Sequence, residues 1–331
     1  MTTLGICIPT YNRFKYLKTL ISELINLDNS KVKIFVSDNC STDETPQYLE
    51  SLDYCNVYIY SNKFNIGGAA NMLRVVEYSS CDFSWFLGDD EYISRSDIEK
   101  LIHFLQNTKY DSIFIPKENI YNSRKDYTDL RIFWKNFFNF ESFMYMSSHI
   151  IRTSFIKEHI LFCYQNLIQL QHPYIGLTYL AVKHGTGLII HSNSIFKKNY
   201  QSEQRWTKFT AYIDGALSIY NLELNKIAKR VSYNTHIFYI IKCIYKEIFN
   251  IEQCGVNIYD FQRFKQCVPF INIPTYYIIL FFLLVKNKVF FREFLILVIF
   301  LISIFLNKRV KFKYLYDYLY CKKLHTNIFK N

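Results

Sequence analysis

The sequence predicts an α/β fold, a mostly parallel sheet with flanking helices, followed by a helical C-terminal extension. Three observations predict it. Short apolar runs alternate with stretches of helical periodicity through the first third of the chain. The polar clusters of that third fall where the apolar runs stop, the edge at which parallel sheets bind ligands. The chain has 331 residues, 50% hydrophobic and 20% charged, which supplies a sizeable core and excludes wholesale disorder.

The elements follow in order. Residues 4–9 form a short apolar strand that stops at Pro9-Thr10-Tyr11-Asn12, where a helix begins; its apolar positions Leu17, Leu20, Ile21, Leu24 and Ile25 recur at helical spacing. Residues 32–37 form a second strand, running into Asp38-Asn39-Cys40-Ser41-Thr42-Asp43. Thr42 and Asp43 suit the cap of a helix over about 44–52. A third strand, 57–60, precedes residues 62–68 and a helix over 69–78. The fourth, 83–87, ends at Gly88-Asp89-Asp90-Glu91, and a helix over 96–106 leads to a fifth strand, 112–116. Beyond about Ile120 the regularity fades. Strands are expected at 147–151 and 187–191, with a helix over 173–184 between them.

This pattern divides the chain into an α/β domain over 1–205 (halves 1–116 and 117–205), a helical region over 206–273 and an apolar, basic segment over 274–331. In the last segment the apolar runs 276–285 and 294–306 are each shorter than the roughly 20 residues a membrane-spanning helix needs. Lys308, Arg309, Lys311 and Lys313 follow at once. Apolar runs beside a basic cluster suit helices in a membrane interface, with the cations on anionic head groups; a buried helical hairpin is the alternative.

Net charge is +11, which fits an anionic partner: a nucleotide diphosphate, a phospholipid surface or nucleic acid. No recognition helix, zinc spacing or RNP-type motif supports the last, and no nucleic-acid partner is expected. The nine cysteines contain no C-x-x-C pair, and the N-terminus has no basic and apolar leader. Both features point to reduced thiols and to the cytoplasmic face of a membrane, held there peripherally or monotopically.

Two adjacent acids after a buried strand, Asp89 and Asp90, are on their own better explained by a helix cap and a solvated neighbour than by chemistry. At the functional edge of a sheet they suit Mg²⁺ or Mn²⁺, which would bridge to phosphate oxygens. Asp38, after the second strand, is placed to accept from a base or ribose, or else to cap a loop. Thr10 and Tyr11 can line a nucleotide, and Arg13 can reach phosphate or simply begin a helix. Gly67-Gly68 permits positive φ or close backbone approach, and no G-x-G-x-x-G fingerprint is present.

Taken in order, Pro9-Thr10-Tyr11-Asn12-Arg13, the run from Ser37 to Asp43, Asn65-Ile66-Gly67-Gly68-Ala69-Ala70-Asn71 and Gly88-Asp89-Asp90 resemble glycosyltransferase family 2 of the bacterial surface-polysaccharide type. The resemblance implies the GT-A fold, a Rossmann-like sheet, and a metal-dependent transferase using a nucleotide-sugar donor, UDP-linked in most members. Its acceptor would be a glycan or a lipid-linked glycan. It implies a donor site at Pro9, Thr10, Tyr11, Arg13, Asp38, Asn65, Gly67, Asn71 and Asp89, with Asp90 the direct ligand of Mn²⁺ or Mg²⁺. Members often carry Arg just before the Asn of the third motif; Ala70 stands there, and Arg74 is a possible substitute. The acid that serves inverting members as base is absent, Leu170-Gln171-His172-Pro173 taking its place, so His172 becomes the candidate base, with Ser148 and His149 lining the acceptor site. Two other readings stand beside this one, a sugar-phosphate nucleotidyltransferase and a non-catalytic basic protein on membrane or nucleic acid. The first needs a Gly-rich phosphate loop after the first strand, which is lacking.

Overall fold

A computed structural model describes residues 2–28, 30–115, 125–127, 145–168, 172–184, 186–189 and 196–198, with isolated positions between 213 and 263. The chain divides into two compact units, one of residues 1–205 and 217–228, the other of 206–216 and 229–331.

The first unit is built on a mixed sheet of eight strands in the order β3-β2-β1-β4-β8-β6-β9-β7. β1 (Leu4–Thr10), β2 (Val32–Asp38), β3 (Val57–Ser61) and β4 (Phe83–Phe86) pair in parallel, as the alternation predicts. β1 is buried on both faces, with Ile6, Cys7 and Ile8 all fully enclosed. That is why it reads as a continuous apolar run rather than an alternating one. On one side Leu17, Leu20, Ile21 and Leu24 of α1 (Phe14–Leu24) join Leu4, Ile6 and Ile8 in the core. Each such side chain contributes about 1.5–3 kcal/mol by leaving water.

The chain order reverses across β1, which lies between β2 and β4. Register then fixes what meets at the carboxyl edge. Thr10 pairs with Asp38 and Asp38 with Ser61, while β4 pairs with β1 up to Cys7↔Phe86. α2 (Thr45–Glu50), α3 (Gly68–Glu77) and α4 (Arg95–Gln106) are the connecting helices, the last capped by Ser94, whose hydroxyl accepts from the Asp97 amide.

The second half departs from the parallel expectation. β8 (His149–Arg152) inserts antiparallel between β4 and β6 (Ser112–Phe114), so the fifth expected strand does not continue the parallel series. Ile150 lies opposite both Trp85 and Ile113. The buried Trp85 indole donates to the Ser147 carbonyl at 2.7 Å, tying β4 to the 3-10 turn Met146–Ser148. β9 (Gly187–Ile189) returns parallel to β6, and β7 (Lys125–Tyr127) pairs antiparallel with β9. β5 (Glu91–Ile93) and β10 (Phe196–Lys198) form a separate antiparallel ribbon. α5 (Thr153–Asn166) and α6 (Pro173–Lys183) pack against one another and against α3.

In the second unit the described positions 213, 214, 240, 243, 246, 259, 262 and 263 are helical, and Arg263 ion-pairs with the buried Asp214. No helix among the described residues is long and apolar enough to cross a membrane. The apolar, basic segment 274–331 lies outside the described residues.

Candidate functional site

The acid pair sits where β1 and β4 end side by side. Asp89 is 7% exposed and both its oxygens are engaged: the Thr10 hydroxyl donates to Oδ2 at 2.9 Å, and Arg13 Nε donates to Oδ1 at 2.9 Å. Arg13 turns its other arm to Asp90, Nη2 to Oδ2 at 2.7 Å, while its guanidinium lies over the Tyr16 ring at 4.6 Å. One guanidinium thus spans two consecutive carboxylates, an arrangement that needs its planar fork of donors. Burial pushes the Asp89 carboxyl up to about 6; Arg13 pulls it down, Asp90 pushes it up, and the Thr10 hydroxyl pulls it down.

The backbone around Arg13 is shaped by two left-handed residues, Asn12 at φ 50° and Cys40 at φ 64°. Asn12 bridges to the β2 loop, its amide donating to Ser41 Oγ at 2.8 Å and its Oδ1 accepting from the Thr42 amide at 2.6 Å. Asp43 accepts from the Phe14 amide at the start of α1 and from the Thr45 amide at the start of α2, both at 3.1 Å. It thus takes the first amide of two helices, although the residues at their N-cap positions are Arg13 and Glu44. Burial pushes the Asp43 carboxyl up, but the Thr45 side chain and the Phe14 and Thr45 amides together outweigh it and hold it below the usual carboxylate range.

Asp38 ends β2, 2% exposed, accepting from the Ser41 hydroxyl and from the Ser41 amide at 3.2 Å. Beside it lies a lattice of asparagines. Asn71 Oδ1 accepts from Ser37 Oγ at 2.7 Å and Asn62 Nδ2 at 2.8 Å, and its Nδ2 donates to the Ser37 carbonyl at 2.9 Å. Asn39 Nδ2 donates to Asn65 Oδ1 at 2.8 Å, and Asn39 Oδ1 accepts from the Ile66 amide at 3.0 Å. The lattice holds the loop before α3 against β2. Gly67, at φ 86°, begins that helix, and a Cβ at Gly67 or Gly68 would meet nothing within 4 Å. The structural role of Asn39 and Asn62 went unassigned in the sequence, although both stand inside the polar clusters.

Not every expected residue gathers here. Pro9 and Tyr11 are half-buried at the end of β1. Arg74 lies in the last turn of α3, 3.7 Å from Glu77 and beside Tyr164 of α5, and is not brought to the acid pair.

His172 occupies the position before α6, 8% exposed, with Nδ1 2.7 Å from the Tyr174 hydroxyl. Tyr174 is buried between Phe86, at the end of β4, and His149. Ser148 and His149, expected to line an acceptor site, are instead both 0% exposed. His149 bonds Thr178 Oγ1 at 2.7 Å and packs edge-on against Phe114. His149 begins the interior strand β8 and its side chain faces α6, whereas Ser148 closes the 3-10 turn before that strand. Glu91, which no motif singled out, is buried beside the pair and accepts from the Tyr145 hydroxyl.

The acids suit a divalent cation in one specific respect. Asp90 Oδ1 accepts no hydrogen bond among the described residues, and the side chain keeps 20% of its exposure. Asp89 has no such spare oxygen. No group of three His, Cys, Asp or Glu residues able to hold a metal occurs among the described residues, so phosphate and water would complete the coordination.

Residues 5–170 match the family model described as glycosyl transferase family 2. Over 109 residues, 31% of this chain, it is 32% identical to the abequosyltransferase RfbV of Salmonella typhimurium. Over 124 residues, 36% of this chain, it is 27% identical to the poly(ribitol-phosphate) beta-N-acetylglucosaminyltransferase TarS of Staphylococcus aureus. The matches span only 33% of the first relative and 22% of the second. The crystal structure of TarS 1–349 superposes with a TM-score of 0.56 at 18% identity, over 81% of each chain, and TarS has also been solved with UDP-GlcNAc. The mannosyltransferase PcManGT of Pyrobaculum calidifontis, solved with GDP-Man and Mn²⁺, superposes with a TM-score of 0.50 at 9% identity, over 88% of this chain and 82% of that one. At these identities the likeness is one of fold, and that fold is GT-A.

Proposed function

The chain belongs to glycosyl transferase family 2, and from that premise we propose that it moves a sugar from a UDP-linked donor to a glycan or lipid-linked acceptor in cell-surface polysaccharide synthesis. The observation that carries the reading is the meeting of Thr10, Arg13, Asp89 and Asp90 where β1 and β4 end. Four loops that are remote in sequence place their polar groups along one sheet edge, the geometry of a nucleotide site at a topological switch point. The UDP-GlcNAc bound by TarS, which is 27% identical to this chain over 124 residues, supports the choice of base.

The parts divide as follows. Asp38, fixed by Ser41, offers a carboxylate at the end of β2 to the base or ribose. Gly67, with open space where a side chain would stand, lets the donor approach the start of α3. Asp90 presents Oδ1 as the protein ligand of Mn²⁺ or Mg²⁺, and Asp89 orients Thr10 and Arg13 behind it. When bound, the cation supplies charge neutralisation for the departing diphosphate. His172 is the proposed base; the Tyr174 hydroxyl against Nδ1 fixes the plane of its ring. The basic, apolar segment 274–331 would hold the protein to the cytoplasmic face of a membrane that carries the acceptor.

A thermal-shift series with UDP, GDP, ADP and UDP-sugars, each with and without Mn²⁺, tests the donor site, because a ligand of the folded state raises the midpoint. UDP with Mn²⁺ is expected to raise it most. A protein indifferent to every nucleotide would remove the reading.

A further inference from the structure

We infer that Arg13 is a resident counter-cation of the acid pair, which gives up Asp90 when a divalent ion and the donor diphosphate arrive together. The inference rests on the proposed function, since it concerns how that site loads. Its basis is the geometry already described. Arg13 reaches Asp89 at 2.9 Å and Asp90 at 2.7 Å, with its own side chain 13% exposed and its guanidinium held over Tyr16. Such a fork neutralises half the charge of two adjacent carboxylates that would otherwise repel in a partly dry site.

The consequence follows from charge. A divalent ion that shares Asp90 with the resident guanidinium meets a like charge at short range in a low dielectric, which weakens cation binding in the absence of donor. A diphosphate brings two negative charges and gives the Arg13 arm, once Asp90 leaves it, a bidentate partner of the kind guanidinium favours. Cation and diphosphate should therefore assist each other, and by linkage the assistance is reciprocal. Asp89 keeps its bond to Arg13 Nε throughout, and because the guanidinium is rigid it is the Asp90 carboxylate that swings from the fork to the cation. Arg13 is thus a positioning residue that sets the order in which the site fills.

Titration calorimetry of the full chain with Mn²⁺ alone, with UDP alone and with Mn²⁺ at saturating UDP tests this. The wild type should bind Mn²⁺ weakly by itself and about tenfold or more tightly with UDP, within the ordinary range of such couplings. Arg13→Gln should bind Mn²⁺ alone more tightly than the wild type and lose most of the gain from UDP. Arg13→Lys keeps the charge but not the fork, and should fall between them, which preserves the test if Arg13→Gln does not fold. An unchanged coupling factor in both variants, or weaker binding of Mn²⁺ alone in both, would overturn the inference while leaving the donor site intact. UDP binding with no Mn²⁺ binding in any of the three proteins would overturn the cation reading as well.

Discussion

At the scale of single residues, the two acids of one dipeptide have separate tasks. Asp89 is enclosed and spends both oxygens on Thr10 and Arg13, whereas Asp90 keeps an oxygen toward solvent. Asp90→Ala is therefore expected to abolish sugar transfer and the Mn²⁺-dependent part of the thermal shift; metal-dependent turnover near the wild-type rate would refute the assignment. Asn71 works differently. Its amide makes three internal hydrogen bonds at 2% exposure, so Asn71→Ala should destabilise the fold by about 2–3 kcal/mol, seen as a lower urea midpoint. A midpoint unchanged within error would show that the lattice is dispensable. The sequence made the acids legible by their position after an apolar strand. It could not separate their roles, because which oxygen is occupied depends on Arg13, 76 residues away.

At the scale of elements, the first half was legible throughout and the second only in part, for a physical reason. β1 to β4 alternate with amphipathic helices, and each declares itself by periodicity. In the second half α6, β8 and β9 overlap the helix expected over 173–184 and the strands expected at 147–151 and 187–191, although α6, buried from Pro173 to Val182, has no polar face to mark a helical repeat. α5 buries only Thr153, Phe155, Ile156 and Cys163, a set without a clean stripe, and it went unforeseen. β5, β7 and β10 are three residues each, too short to show alternation. One link between elements invites a test. Asp43 ties the starts of α1 and α2 and is held below the usual carboxylate range. A lowered folded pKa gives stability that is full above the unfolded value near 3.9 and fades as pH falls through the folded value. Asp43→Ala should thus cost about 1 kcal/mol at neutral pH, with the gap to wild type narrowing below about pH 4. Denaturant curves at pH 7 and pH 3 would measure it, and an equal gap at both would exclude the charge as the cause.

At the scale of the whole molecule, two proposals concern the half of the chain that carries no donor motif. The apolar runs and the cations from Lys308 to Lys313 lead us to expect the full chain in the membrane fraction of cells, released by detergent rather than lost on washing. Recovery wholly in the soluble fraction would remove membrane docking and leave the donor site untouched. Assembly order is the other matter. β4 is covered on one edge by β1, but its second edge waits for β8, with Trp85 meeting Ile150. About 65 residues separate those partners, so a ribosome adding roughly 5–20 residues per second leaves the nascent edge open for several seconds. During that interval an apolar strand that will end at Asp89 and Asp90 offers unpaired amides to any neighbouring chain. Slowed translation between the two strands would lengthen this exposure, and the yield of folded protein would then depend on holdase chaperones.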